Sequence, residues 1–166
     1  MHIIKHTLLL CVSLFAGAAT AAEHKPYVTS RSLDVELAQQ AATAALQNCR
    51  TQGYQVAVAV VDRSGQLLAF ARDPLAGPHT IEVSQRKAFT AATYQAATSG
   101  MMGRDELRGS PGVLLLGGGL PIRIGGHFYG AVAVSGAPAI KVSGDADEAC
   151  AQAGIDTIRE VLEFAD

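Results

Sequence analysis

Apolar positions change their spacing several times along the chain, and each change predicts a change of element. From Leu33 to Gly53, LDVELAQQAATAALQNCRTQG places Leu33, Leu37, Ala41, Ala44 and Ala45 close to one helical stripe. Ser32 is the expected N-cap and Gly53 the expected stop. VAVAVVD, from Val56 to Asp62, is short, β-branched and almost continuously apolar, the signature of a strand covered on both faces. RSG turns the chain at Gly65, and QLLAFAR returns as the second arm of a hairpin. DPLAGPHT reads as a loop. IEVSQRKAFTAATYQAATS predicts a second helix, with Thr80 as its cap, Glu82 in its positive first turn and Ile81, Ala88 and Ala92 on one face. GMMGRDELRGSPG is irregular.

The glycine-rich run GVLLLGGGLPIRIGGHFYGAVAVSGAP, from Gly112 to Pro138, admits two readings, a phosphate cradle or a set of short strands. A phosphate loop leads from Gly-rich backbone into a helix, usually with a following Lys and Ser or Thr. Here the triple glycine leads into a proline-bearing apolar run with no such motif, so the strand reading holds. It predicts strands over VLLL, LPIRIG and HFYGAVAVSG, the last two joined by a Gly125-Gly126 turn. Asp145 and Glu148 have capping-box spacing ahead of a third helix, ADEACAQAGIDTIREVLEF. The order α-β-β-α-β-β-β-α is dominated by hairpin connections. It predicts an α/β protein of the α+β kind, a mainly antiparallel five-stranded sheet with helices on its faces.

The start of the chain is a different kind of segment. Met1 to His6 carries Lys5, Thr7 to Ala16 is almost wholly apolar, and Ala19-Thr20-Ala21 has the A-x-A pattern. That order predicts a secretory signal over residues 1–21, cleaved after Ala21 or Ala22. The apolar run is too short for a membrane-spanning helix, and no later stretch is long and apolar enough. The remainder, residues 22–166, has the size of one domain. Its formal charge moves from −2 to −3 once Lys5 is lost, which leaves no basic footprint for nucleic acid. The expected location is therefore periplasmic or secreted. There Cys49 and Cys150, an even pair, can oxidise. If the first and last helices pack antiparallel on one sheet face, the end of one meets the start of the other and a Cys49–Cys150 disulfide is within reach.

Three segments together, VAVAVVDRSGQLLAFARD, GPHTIEVSQRKAFTAAT and GGGLPIRIGGHFYGAVAVSGAP with the following DEACAQAGID, resemble the GlcG/HbpS-like family. That family includes small haem-binding proteins and the C-terminal domain of PduO-type proteins. The resemblance spans nearly the whole chain after the signal. It implies a profilin-like fold, assembly into homo-oligomers and, for some members, binding of haem or corrinoid-related ligands. It transfers no axial ligand, because members differ there.

Among the polar residues, His79 is the most informative. It follows Gly77-Pro78 at the predicted start of the second helix, whose positive end favours a neutral imidazole, able to ligate haem iron or act as a base. Arg86 and Lys87 lie two turns further on and can meet haem propionates or a substrate carboxylate. For Arg86 an i,i+4 ion pair with Glu82 is the simpler reading; Lys87, next to Ala88, can border a sheet cleft. Ser135 and Gly136, in SGAP, end the last strand where backbone can line the same cleft. His127 at a hairpin tip and His24 near the new N-terminus read as solvated. Met101 and Met102 read as gap fillers, and Asp62 as turn chemistry. No Ser-His-Asp order, HExxH or paired-carboxylate spacing names a reaction. Two functions follow. One is an exported binding protein for haem or a related tetrapyrrole, with His79 as candidate iron ligand. The other is a small enzyme acting on a short oxygenated carboxylic acid, with His79 as acid/base. A structural oligomer without a small ligand is the third reading.

Overall fold

A computed structural model describes residues 24–165. The signal expected over residues 1–21 lies outside them. The elements are α1 (Val35–Thr51), β1 (Ala57–Val61), β2 (Leu67–Arg72), α2 (Thr80–Tyr94), two 3-10 turns at Thr98–Met101 and Asp105–Leu107, β3 (Gly119–Ile124), β4 (His127–Ser135) and α3 (Asp145–Glu163). The strands form one antiparallel sheet in the order β2-β1-β4-β3. The two hairpins thus supply two strands each, and β1 and β4 join them at the centre. Both central strands are buried along almost their whole length, which explains why β1 reads as a continuous apolar run.

Helices cover both faces. On one face α1 and α3 pack with Val56, Val58, Val60, Val132 and Val134. On the other, Ala88, Ala91 and Ala92 of α2 meet Ala59, Val61, Ala131 and Ala133. The small side chains let α2 sit close to the sheet. The helices α1 and α3 run antiparallel. Arg31 donates to the carbonyl of Ala165, Gln40 to that of Thr157, and Cys49 and Cys150 join at the third level with Cα atoms 5.5 Å apart. At Gly154 a Cβ would stand 2.5 Å from the carbonyl oxygen of Ala41.

The sheet has four strands where five were expected. Val113–Leu116 is not a strand, because its backbone groups are used locally. Val113 N–H bonds the Ser110 carbonyl, Leu114 N–H bonds the Thr90 hydroxyl, and Leu116 N–H bonds the Leu114 carbonyl. Three of the segment's four N–H groups are thus taken, too few being left for a ladder. The caps differ too. Asp34, not Ser32, accepts from Leu37 N–H at 2.8 Å. Thr80 instead bonds the Gly77 carbonyl through its hydroxyl. Asp145 and Glu148 form no capping box, since each carboxylate is engaged elsewhere. Ile81 is exposed, off the Ala88 and Ala92 face. The Gly125-Gly126 turn forms as expected, both residues at positive φ (56° and 78°), as a tight antiparallel connection demands.

Candidate functional site

A cleft of about 250 Å³ opens where the C-terminal end of β4 meets the N-terminal half of α2. Of the residues singled out in the sequence, His79, Lys87, Ser135 and Gly136 all line it; Arg86 does not. Arg86 pairs with Glu82 at 3.3 Å and donates to the Val113 carbonyl at 3.0 Å. The remaining wall comes from the loop before α3 and from Asp147 in its first turn.

Each side chain is placed by its local backbone. His79 precedes α2 and is exposed, its ring folded over Gly77, where a Cβ would lie 2.7 Å from an imidazole carbon. Among the described residues its ring nitrogens have no hydrogen-bond partner. About one turn of α2 past Val83, Lys87 points inward and is only 2% exposed. Its ammonium donates to the Val134 carbonyl at 3.1 Å and to Asp147 Oδ2 at 2.9 Å. An ammonium carries three donors, so one remains for whatever enters the cleft. Gly118, at φ 124°, makes the space: a Cβ there would lie 2.6 Å from Lys87 Nζ.

Asp147 was not among the expected site residues. Its Oδ1 accepts from Ala137 N–H at 2.9 Å, tying the post-β4 bend to α3. Burial pushes its carboxyl above the ordinary carboxylate value, against the pull of the Lys87 ammonium and of backbone N–H groups. A signal for it existed. Asp147 stands at i, i+3, i+4, i+7 and i+8 spacing with Cys150, Ala151, Gly154 and Ile155, all buried. An acid on the apolar stripe of a helix needs a buried partner. Its neighbour Glu148 supports the cleft from behind, accepting from Ser99 N–H, the Ser99 hydroxyl and Gly118 N–H. The rim loop is held by Asp145, whose carboxylate accepts from Ile140, Lys141, Val142 and Ala146 N–H groups. Those bonds, Ile140 first, hold its pKa down to about 2.

The other candidates scatter. His127 and Asp62 lie at the opposite end of the sheet, Asp62 Oδ1 accepting from Ser64 and Gln66 in the β1–β2 turn. Met101 is buried and Met102 half-buried. His24 is exposed. Among the described residues no group of three or more His, Cys, Asp or Glu side chains is placed to hold a metal ion, and no helix is long and apolar enough to cross a membrane.

A three-helix, four-stranded antiparallel domain with a polar cleft at the end of its central strand, floored by a buried lysine–aspartate pair, defines a class of small α+β proteins. The chain belongs to the HbpS-like family, described as "Haem degrading protein HbpS-like", whose profile matches residues 33–156. It is 34% identical to Protein GlcG of Escherichia coli K12 over 110 residues, 61% of this chain and 82% of GlcG. It is similar to the crystal structure of HbpS, at 39% identity and a TM-score of 0.75, covering 83% of this chain and 98% of that one. A PduOC–haem complex is also similar, at 25% identity and a TM-score of 0.66, covering 76% and 95% of the two chains.

Proposed function

We propose that this protein binds haem or a related tetrapyrrole at the cleft, with His79 as the iron ligand. The observation that carries the reading is the exposed His79 imidazole at the cleft, free of hydrogen-bond partners among the described residues. The family description and the haem-bound PduOC relative support it. The fit is at the rim. At about 250 Å³ the cleft is smaller than the roughly 300–1,000 Å³ that encloses a drug-sized ligand. A macrocycle is therefore held from outside, by His79 and by the exposed Ile140 and Val142 on the rim loop. Bound haem would supply a redox-active iron. The protein's part is an imidazole ligand, apolar contact and the spare Lys87 donor toward a propionate. Haemin added to the purified protein is expected to give a Soret band at near-stoichiometric ratio, and His79→Ala to shift or weaken it. An unchanged band in the variant removes His79 as ligand, and no binding at micromolar haemin removes the haem reading.

The cleft's size and polar floor favour a second reading, a short oxygenated carboxylic acid held by Lys87 with His79 as acid/base. Such an acid fits inside the cleft, and its binding would persist where haemin binding fails. The same proposal includes export to an oxidising compartment, consistent with the Cys49–Cys150 bond, and assembly into a homo-oligomer.

A further inference from the structure

Strand β4 runs nine residues from His127 to Ser135. At about 3.3 Å per residue its ends lie on the order of 26 Å apart. The cleft at the Ser135 end is accounted for above. At the His127 end lies a larger cavity of about 400 Å³, bounded by Thr29, Ser30, Arg31, Arg63, His127 and Phe128. We infer that it is a second binding site, for the oxyanion group of a small ligand, a phosphate or a cluster of carboxylates.

The guanidinium of Arg63 is built into position. Its Nη1 donates to the Phe128 carbonyl at 2.5 Å, and the group lies 5.2 Å from the centre of the Phe128 ring. Phe128 is itself buried against α2. A second guanidinium, that of Arg123, lies 5.3 Å from the same ring centre. Two cations thus flank one aromatic ring, each gaining from it. Arg50, Arg86, Arg104, Arg108 and Arg159 each pair with a carboxylate; among the described residues Arg31, Arg63, Arg72 and Arg123 do not, and of these only Arg72, which donates to the Ala76 carbonyl, lies at the other end of the sheet. The nearest acid in sequence, Asp62, spends its Oδ1 on two turn amides. Among the described residues no carboxylate lines the cavity, and Thr29 and Ser30 add hydroxyl donors.

Two lining arginines, Arg31 and Arg63, with no carboxylate partner among the described residues and Arg123 close behind Phe128, in a chain of net charge −2, are what an oxyanion neutralises. An ordered guanidinium matches the two-oxygen edge of phosphate or carboxylate, with little entropy left to lose. An anion bound here gains without competing for the His79 cleft.

Calorimetric titration of the folded protein at low ionic strength tests this, with pyrophosphate and citrate as separate probes and chloride of equal ionic strength as control. One of the two is expected to bind once per chain with submillimolar affinity, and the better probe distinguishes phosphate from carboxylate chemistry. Arg63→Gln is expected to weaken it at least tenfold and Arg31→Gln measurably, with unchanged circular dichroism, while Arg104→Gln, the same loss of charge at an arginine paired with Glu106, binds as the parent does. Absence of binding beyond the chloride control overturns the site, as does equal affinity in both arginine variants. Should Arg63→Gln fail to fold, Arg31→Gln decides alone.

Discussion

At the scale of single residues, the Lys87–Asp147 pair dominates. Both side chains are almost fully buried, at 2% and 5% exposure, so each is costly without the other. Lys87→Met leaves an uncompensated carboxylate in the interior, and removing one partner of a buried pair costs about 3–5 kcal/mol. Urea denaturation is expected to show a loss of that size. Lys87→Met combined with Asp147→Asn is expected to recover part of it; if the double variant is no better than the single one, charge is not the cause. The two aspartates of this region respond oppositely to acid. The Asp147 carboxyl is raised by burial, so its contribution to stability is fully present below its unfolded value and is lost as pH rises through the folded one. Asp145, held down to about 2, contributes stability that is present above the ordinary carboxylate value of 3.8 and lost as pH falls toward 2. The stability gap between parent and Asp145→Asn is therefore expected to narrow between pH 4 and pH 2 in thermal unfolding. A constant gap across that interval assigns the effect to another group. Sequence alone brought His79, Lys87, Ser135 and Gly136 into consideration, and they share one cleft, because glycine bends and helix starts mark where backbone can approach a ligand. It passed over Asp147 because the adjacent Asp145 and Glu148 fitted a cap that would have used both acids locally.

At the scale of elements, packing overrides propensity in α3. Alanine is favoured over glycine in a helix by about 1 kcal/mol, yet a Cβ at Gly154 would lie 2.5 Å from the Ala41 carbonyl oxygen and 3.0 Å from the Ala45 Cβ. Backbone cannot swing aside as a side chain can, and overpacking costs about 1–3 kcal/mol. Gly154→Ala is expected to lower stability on chemical denaturation; a gain of about 1 kcal/mol would mean that α1 and α3 are loosely seated. The hairpins were legible because glycine turn signals bracket runs that stay apolar. The missing fifth strand was not, because Val113–Leu116 is too short to have a period. Four apolar residues look alike whether their N–H groups meet a neighbouring strand or, as here, a turn carbonyl and the Thr90 hydroxyl. Helix starts drifted by a residue or two for a related reason. Ser32 and Asp34 are both able caps, and only the entry angle of the chain decides between them.

At the scale of the whole molecule, the core is built from small side chains. The largest fully buried ones beyond Lys87 are isoleucines and valines, and the chain has no tryptophan. Meanwhile Leu75, Val161 and Phe164 are 83%, 54% and 80% exposed. Burying them between copies would add apolar area that the monomer lacks, the physical basis for the proposed homo-oligomer. Multi-angle light scattering at micromolar concentration is expected to report a multiple of the chain mass; a single-chain mass contradicts it.

The bond between Cys49 and Cys150 closes a covalent ring over a sequence separation of 101 residues, and that ring contains the entire sheet, α2, the whole lining of the His79 cleft and half that of the Arg63 cavity. A protease that cuts once in the exposed segment around Gly103–Gly109 would therefore open a circle rather than divide a thread. The nicked molecule would keep one molecular mass, gaining only a water, and would fall into two pieces only in the presence of a reductant. Damage at a single peptide bond in the ring is thus survivable in an oxidising compartment.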